Sequence, residues 1–296
     1  SSFEGAKTGA VSAFAVDPKT GDLTLLNQQA SGGTGPCHVV VDKTGRNALV
    51  ANYGGGTVAV LPIGEDGRLK PVSSVRAHEG SGPHKGRQDK PHAHGIYLDA
   101  AERFAFSPDL GADRVFVYRF DARKGTLEPH GAAPLDPGAG PRHLAFHPSG
   151  KYLYTINELL STVSAFSYDA EKGALALLQT VSTLPAGFSG TSWTAEVEVS
   201  RDGRFLYGSN RGDDSLAIFR VDGATGRLTP AGHAPIGGKY PRHFTIDPTG
   251  HYVLAGHQNS GTIAVLRIDP ATGLPALTGA TVKLDKPVCL LPVPAR

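Results

Sequence analysis

Six stretches of near-strict alternation between apolar and polar residues recur along the chain: GAVSAFAVD, GTVAVLPIG, DRVFVYRFD, STVSAFSYD, DSLAIFRVD and GTIAVLRID. A period of two marks a strand with one buried face. Each run leads into a glycine-headed string (GDLTLL, GRLKPV, GTLEPH, GALALL, GRLTPA or GLPALT) whose glycine falls at position 21, 67, 125, 173, 226 or 273. These strings read as a turn followed by a short outer strand. Ahead of most runs lie two further strands joined by a tight turn: HVVVDKTGRNALVANY, HGIYLDAAERFAFSPD, HLAFHPSGKYLYTINE, EVEVSRDGRFLYGSNR and HFTIDPTGHYVLAGHQ. The repeating unit is therefore four strands in about 50 residues, the spacing of a propeller blade. No stretch shows helical periodicity. The expected fold is all-β, a β-propeller of four-stranded antiparallel blades.

About six blades are recognisable on that spacing. The C-terminal KPVCLLPVPAR reads as a lone innermost strand, and the N-terminal GAVSAFAVDPKTGDLTLL as the outer half of a blade. Either the two ends share one blade, or the natural chain carries a further N-terminal blade. The absence of any Met favours the second alternative. Residues 1–296 are thus expected to form a single propeller domain that is N-terminally incomplete.

Composition narrows the function. Apolar residues make up 40% of the 296 positions, enough for a core, while Gly and Pro are spread along the whole length as turn punctuation. A net charge of +2 provides no global field to attract nucleic acid or an anionic membrane, and aromatic residues are only 7%. No window is apolar enough for a membrane helix and the first residues do not read as a signal peptide, so a cytoplasmic protein is expected, unless a preceding segment carries an export signal. The two cysteines, Cys37 and Cys289, read as buried thiols.

Charge sits at strand ends. In an antiparallel hairpin the start of the first strand and the end of the second lie side by side, so residues opening one and closing the other share one rim of the channel. Arg142 and His143 open a strand whose partner closes with Asn157 and Glu158. The same rule groups His38 with Asn52 and Tyr53; His92 and His94 with Asp109; Glu196 with Asn210 and Arg211; and Arg242 and His243 with His257 and Gln258. The opposite rim receives DKTGR, DAAER, HPSGK, SRDGR and DPTGH, ordinary turn residues. Arg142, Glu158, Arg211 and Arg242 would be costly to bring together unless they bind something charged.

Guanidiniums at a channel mouth suit a carboxylate, a phosphate or a developing oxyanion, so the expected partner is a small anion. A carboxylate beside an imidazole can hold a water and take its proton, and an arginine can stabilise charge on an attacked carbonyl; lactone hydrolysis needs little more. With no G-x-S-x-G elbow, and with Cys37 and His38 on opposite faces of a strand, attack by water is preferred to covalent catalysis. His92 and His94 share a strand face, but a third ligand is not evident, so neither metal nor cofactor is expected. The insertion AHEGSGPHKGRQDKPHAH is either a solvated connection or a lid supplying Lys85, Arg87 or Gln88. Trp193 reads as a packing anchor. A cycloisomerase or a lactonase for an unphosphorylated acid lactone would use the same rim; a non-enzymatic interaction platform would need a more apolar one.

At GPRHLAFHPSGKYLYTINEL, GPCHVVVDKTGRNALVANYGGGTVAV and FSGTSWTAEVEVSRDGRFLYGSNR, the chain resembles the lactonase family of seven-bladed β-propellers over essentially its whole length. That family includes propeller-type 6-phosphogluconolactonases and is related to carboxy-cis,cis-muconate cyclases. The resemblance implies a metal-independent site at the channel mouth, hydrolysing 6-phosphogluconolactone in the pentose phosphate pathway or acting on a related lactone. It also implies catalytic roles for His94, Arg142, Glu158 and Arg211, with Arg242 the other candidate for the last. The remaining rim residues, His38, Asn52, His92, His143, Asn157, Glu196, Asn210, Arg242, His243 and Gln258, are then expected to bind substrate. Against seven blades, the chain would begin inside the second.

Overall fold

The computed structural model describes Phe3 and residues 5–293. All regular structure among them is strand, and no helix is long and apolar enough to cross a membrane. A two-stranded sheet comes first, β1 (Ala10–Val16) with β2 (Leu23–Ala30). Four-stranded antiparallel sheets follow, each laid out in chain order. They are β3 (Pro36–Val41), β4 (Asn47–Asn52), β5 (Thr57–Pro62) and β6 (Ser74–Ala77); then β7 (Tyr97–Leu98), β8 (Phe104–Asp109), β9 (Arg114–Asp121) and β10 (Thr126–Pro134). The next are β11 (Pro141–Phe146), β12 (Tyr152–Asn157), β13 (Thr162–Asp169) and β14 (Ala174–Ser182); β15 (Trp193–Val199), β16 (Phe205–Arg211), β17 (Ser215–Val221) and β18 (Leu228–Pro235); and β19 (Pro241–Ile246), β20 (Tyr252–His257), β21 (Thr262–Ile268) and β22 (Pro275–Lys283).

The described residues therefore hold five complete blades and the N-terminal half blade expected from the pattern. The expected lone innermost strand at the C-terminus differs: residues 284–293 form no strand, and residues 294–296 lie outside the described residues. The chain groups into two compact units, one running up to Pro141 with Glu171–Ala174, the other comprising Arg142–Ala170 and Leu175–Val293.

Second strands are wholly buried in β4, β8, β12 and β16, and the cores form where they pack, around Leu49, Val60 and Ile96 in the first unit and around Tyr154, Phe219 and Phe244 in the second. The repeat glycine has a physical origin here. At Gly226 the backbone is left-handed (φ 71°) and a Cβ would lie 2.3 Å from the Tyr152 ring; at Gly273 (φ 77°) it would lie 2.4 Å from Phe205. Only glycine satisfies both conditions, so its recurrence reports the spacing of blades. The turns DKTGR and DPTGH are closed by Asp42 and Asp247, which accept two and three main-chain N–H groups respectively, as turn chemistry predicts.

Candidate active site

Strand starts are irregular where the chemistry lies. Pairing slips by one residue between Pro36 and His38, between Pro241 and His243, and between Thr194 and Val197. Each slip is a β-bulge, which breaks the in-out alternation and re-aims a side chain. Arg242 and Cys37 sit on such bulges, and so does Glu196.

In the second unit Arg142, at the start of β11, and Arg211, closing β16, converge on one carboxylate oxygen. Glu158 Oε2 lies 3.1 Å from Arg142 Nε and 2.7 Å from Arg211 Nη2, with all three side chains only 3–4% exposed. The guanidiniums are fixed further by main-chain carbonyls: Arg142 Nη1 donates to Ala195 at 2.7 Å and Arg211 Nη2 to Thr194 at 2.5 Å. Arg211 also stacks over the Tyr240 ring at 5.2 Å. Burial, and then the neighbouring charge of Arg211, hold the Arg142 guanidinium down to about 10 despite the opposing pull of Glu158. Arg242, half-buried, adds its positive charge to the same surroundings. Three cations thus act around Glu158, an excess suited to an anion.

A second carboxylate lies beside this group. Glu196 Oε2 is 2.8 Å from His143 Nδ1 and 3.2 Å from His243 Nε2, while Oε1 accepts the Val197 N–H. His243 Nδ1 accepts from Leu290 N–H, so its Nε2 carries the proton given to Glu196. Arg142 Nη1, 3.3 Å from His143 Nε2, joins the two clusters. Cys289 Sγ lies 4.0 Å from His243, its thiol pushed up by partial desolvation and by the Glu196 charge; Cys289 and Cys37 are both exposed, not the buried thiols expected.

In the first unit Tyr53 stacks on His92 at 4.4 Å and meets His94 edge-on at 5.4 Å. His94 is 5% exposed, and its Nδ1 lies 3.9 Å from Cys37 Sγ, a pairing sequence reasoning missed because 57 positions separate the two. His38 Nδ1 accepts from Ile96 N–H and its ring packs on Tyr97.

Several expected substrate contacts are otherwise engaged. Asn52 and Asn157, fully buried, donate to Thr57 and Thr162, and Asn210 donates to Ser215, in each case five residues on across the turn to the third strand. The amide nitrogens are thus used within the blades, while Oδ1 of Asn52 and of Asn157 is buried with no hydrogen-bond partner. Glu196 likewise already meets two imidazoles and a main-chain N–H. Asp109 is consumed by His78, by the His92 N–H, and by the N–H groups of Gly111 and Ala112. The insertion is solvent-exposed over most of residues 79–90 but anchored: Gln88 is fully buried, bonded to His84, Leu110 and Asp113, and Lys90 grips the Gly54 carbonyl. Gln88 therefore cannot supply a substrate contact, whereas Arg87 reaches the Tyr53 hydroxyl at 3.5 Å. Gln258 is partly exposed, with its Oε1 buried and unbonded. Among the described residues no group of three or more His, Cys, Asp or Glu is placed to hold a metal ion.

A family model described as "Lactonase, 7-bladed beta-propeller" matches residues 2–292. A 6-phosphogluconolactonase of Bacillus subtilis is 39% identical over 95% of this chain and 80% of its own length, and one of Formosa agariphila is 37% identical over 90% and 76%. The solved periplasmic gluconolactonase of Pseudomonas aeruginosa superposes with a TM-score of 0.89 at 36% identity, covering 96% of this chain and 81% of that one.

Proposed function

The chain belongs to the lactonase family of seven-bladed β-propellers, and from that premise we propose that it hydrolyses a sugar lactone, 6-phosphogluconolactone giving 6-phosphogluconate. The observation that carries the reading is the buried Arg142–Glu158–Arg211 group beside the His143–Glu196–His243 group. Lactone hydrolysis places negative charge on the carbonyl oxygen as water adds, and a pre-formed pair of guanidiniums stabilises that charge without reorganising. The ring C–O bond then breaks, and the departing alkoxide recovers the proton that the water lost.

Glu158 Oε2 is occupied by two guanidiniums, and its work is to hold the arginines in register. The proton acceptor is then an imidazole. His143, whose Nδ1–H is fixed by Glu196, has the orientation a base requires, and His94 is the imidazole to which the family resemblance gives a catalytic role. Likeness to a gluconolactonase supports a second substrate, the unphosphorylated lactone.

The deciding assay measures hydrolysis of freshly generated 6-phosphoglucono-δ-lactone beside gluconolactone, with the spontaneous rate subtracted and EDTA present. Fast EDTA-resistant turnover of the phosphorylated lactone is expected. Turnover of gluconolactone alone would move the assignment to the second substrate, and acceleration of neither would refute lactonase activity. His143→Gln and His94→Gln, compared across pH, identify the base by which one removes the acidic limb of the rate profile.

A further inference from the structure

Three segments enter a first strand through the same device: the residue before the strand-opening proline has a left-handed backbone, Gly35 at φ 61°, Gly140 at 64° and Tyr240 at 63°. In two of the three an arginine follows the proline, Arg142 and Arg242. A tyrosine at positive φ is a strained choice that persists only if its surroundings impose it. The imposing group is visible. Tyr240 N–H donates to Asp214 Oδ1 at 2.8 Å, and Gly140 N–H donates to Asp113 Oδ1 at 2.8 Å.

Asp113 and Asp214 occupy matching places, each one residue ahead of a third strand and each itself at positive φ, 50° and 55°. Asp113 is 8% exposed and collects more: Gly138 N–H on Oδ2 at 2.7 Å and the Gln88 amide on Oδ1 at 2.7 Å, while its own carbonyl accepts Leu135 N–H. One residue thus sets the Leu135–Gly140 approach, its carboxylate holding Gly138 and Gly140 and anchoring the insertion. Beyond Gly140 and Tyr240 the chain has little freedom, because proline locks φ and lacks an N–H.

We propose that Asp113 and Asp214 are positioning residues for Arg142 and Arg242: each fixes the backbone from which the arginine departs, two residues on. Neither aspartate is required to touch substrate. The proposal rests on the lactonase reading for its activity assay but not for its geometry, and the experiment separates the two.

Four variants are made: Asp113→Ala, Asp113→Asn, Asp214→Ala and Asp214→Asn. Asn tolerates the left-handed backbone, so it isolates the acceptor oxygens. D214N keeps the oxygen facing Tyr240 N–H and gives up only an exposed contact with Lys239, so its activity should stay within about twofold of wild type, while D214A falls. D113A should lower kcat about 10- to 100-fold, the cost of a catalytic group displaced by around an ångström; D113N, which turns an NH2 toward Gly138 N–H, should fall between. Because Asp113 acts through Arg142, D113A should cost less than about twofold in an R142K background. Independent of turnover, the Nε–H resonance of Arg142, assigned by its loss in R142K, should shift and exchange faster with solvent in D113A. Full multiplicativity of D113A with R142K, failure of D214N to rescue, or an unmoved Arg142 resonance would each overturn the proposal. An inactive wild type with a shifted resonance would instead refute the lactonase reading and leave the positioning intact.

Discussion

Replacing Glu158 by glutamine removes one charge at nearly constant shape and leaves two buried guanidiniums facing each other. At an effective dielectric of about 20, contacts at 3.1 and 2.7 Å are worth about 5 and 6 kcal/mol. Repulsion between the arginines and the desolvation of all three groups oppose much of that sum, so the expected loss is about 3–5 kcal/mol, as for other broken buried pairs. For a chain of this size that is a fall in Tm of roughly 10 °C. Thermal unfolding of E158Q and wild type at pH 7, read by circular dichroism, measures it. Inorganic phosphate sharpens the test: with the carboxylate gone an anion can take its place, so phosphate at about 100 times its Kd should restore roughly 2.7 kcal/mol to the variant. An E158Q protein melting within about 2 °C of wild type would refute the reasoning, because it would mean that the arginines are not held in place by charge.

Two further expectations follow from the strand interiors. Burial pushes Glu198 up to about 8, so its folded form stays neutral in a range where the unfolded chain is ionised. Its stabilisation is complete below about pH 4.5 and is lost as pH rises toward 8; E198Q should therefore match wild type at pH 4.5 and melt several degrees higher at pH 9, and equal melting at both values would remove the shift. Asn210, fully buried, bonds to Thr183 and Ser215 and is assigned here to the blade, so N210A should lose about 2–4 kcal/mol in urea unfolding while the kcat of the folded fraction stays within about twofold; a large kcat loss at unchanged stability would return Asn210 to the substrate.

Alternation and glycine spacing alone determined the strands, their grouping in fours and the strand ends at which charge collects, because period two and the turn residues are local properties that no tertiary contact needs to supply. Strand ends are where backbone pairing stops and side chains are released for binding, so Arg142, Glu158, Arg211 and His143 could be named from position. What the sequence could not show was the direction each side chain takes. A bulge adds one residue and inverts the alternation, and Asn52, Asn157 and Asn210, in the same strand-end places as the charged residues, turn into the blade because a Thr or Ser five residues on meets them across the turn. Pairings between distant strands were equally out of reach. Arg211 on Glu158, His143 and His243 on Glu196, Cys37 beside His94 and Asp113 beneath Gly140 all join residues whose separation along the chain carries no periodic signal. Only the stacking of one sheet against the next, driven by burial of the second strands, brings them within hydrogen-bond distance.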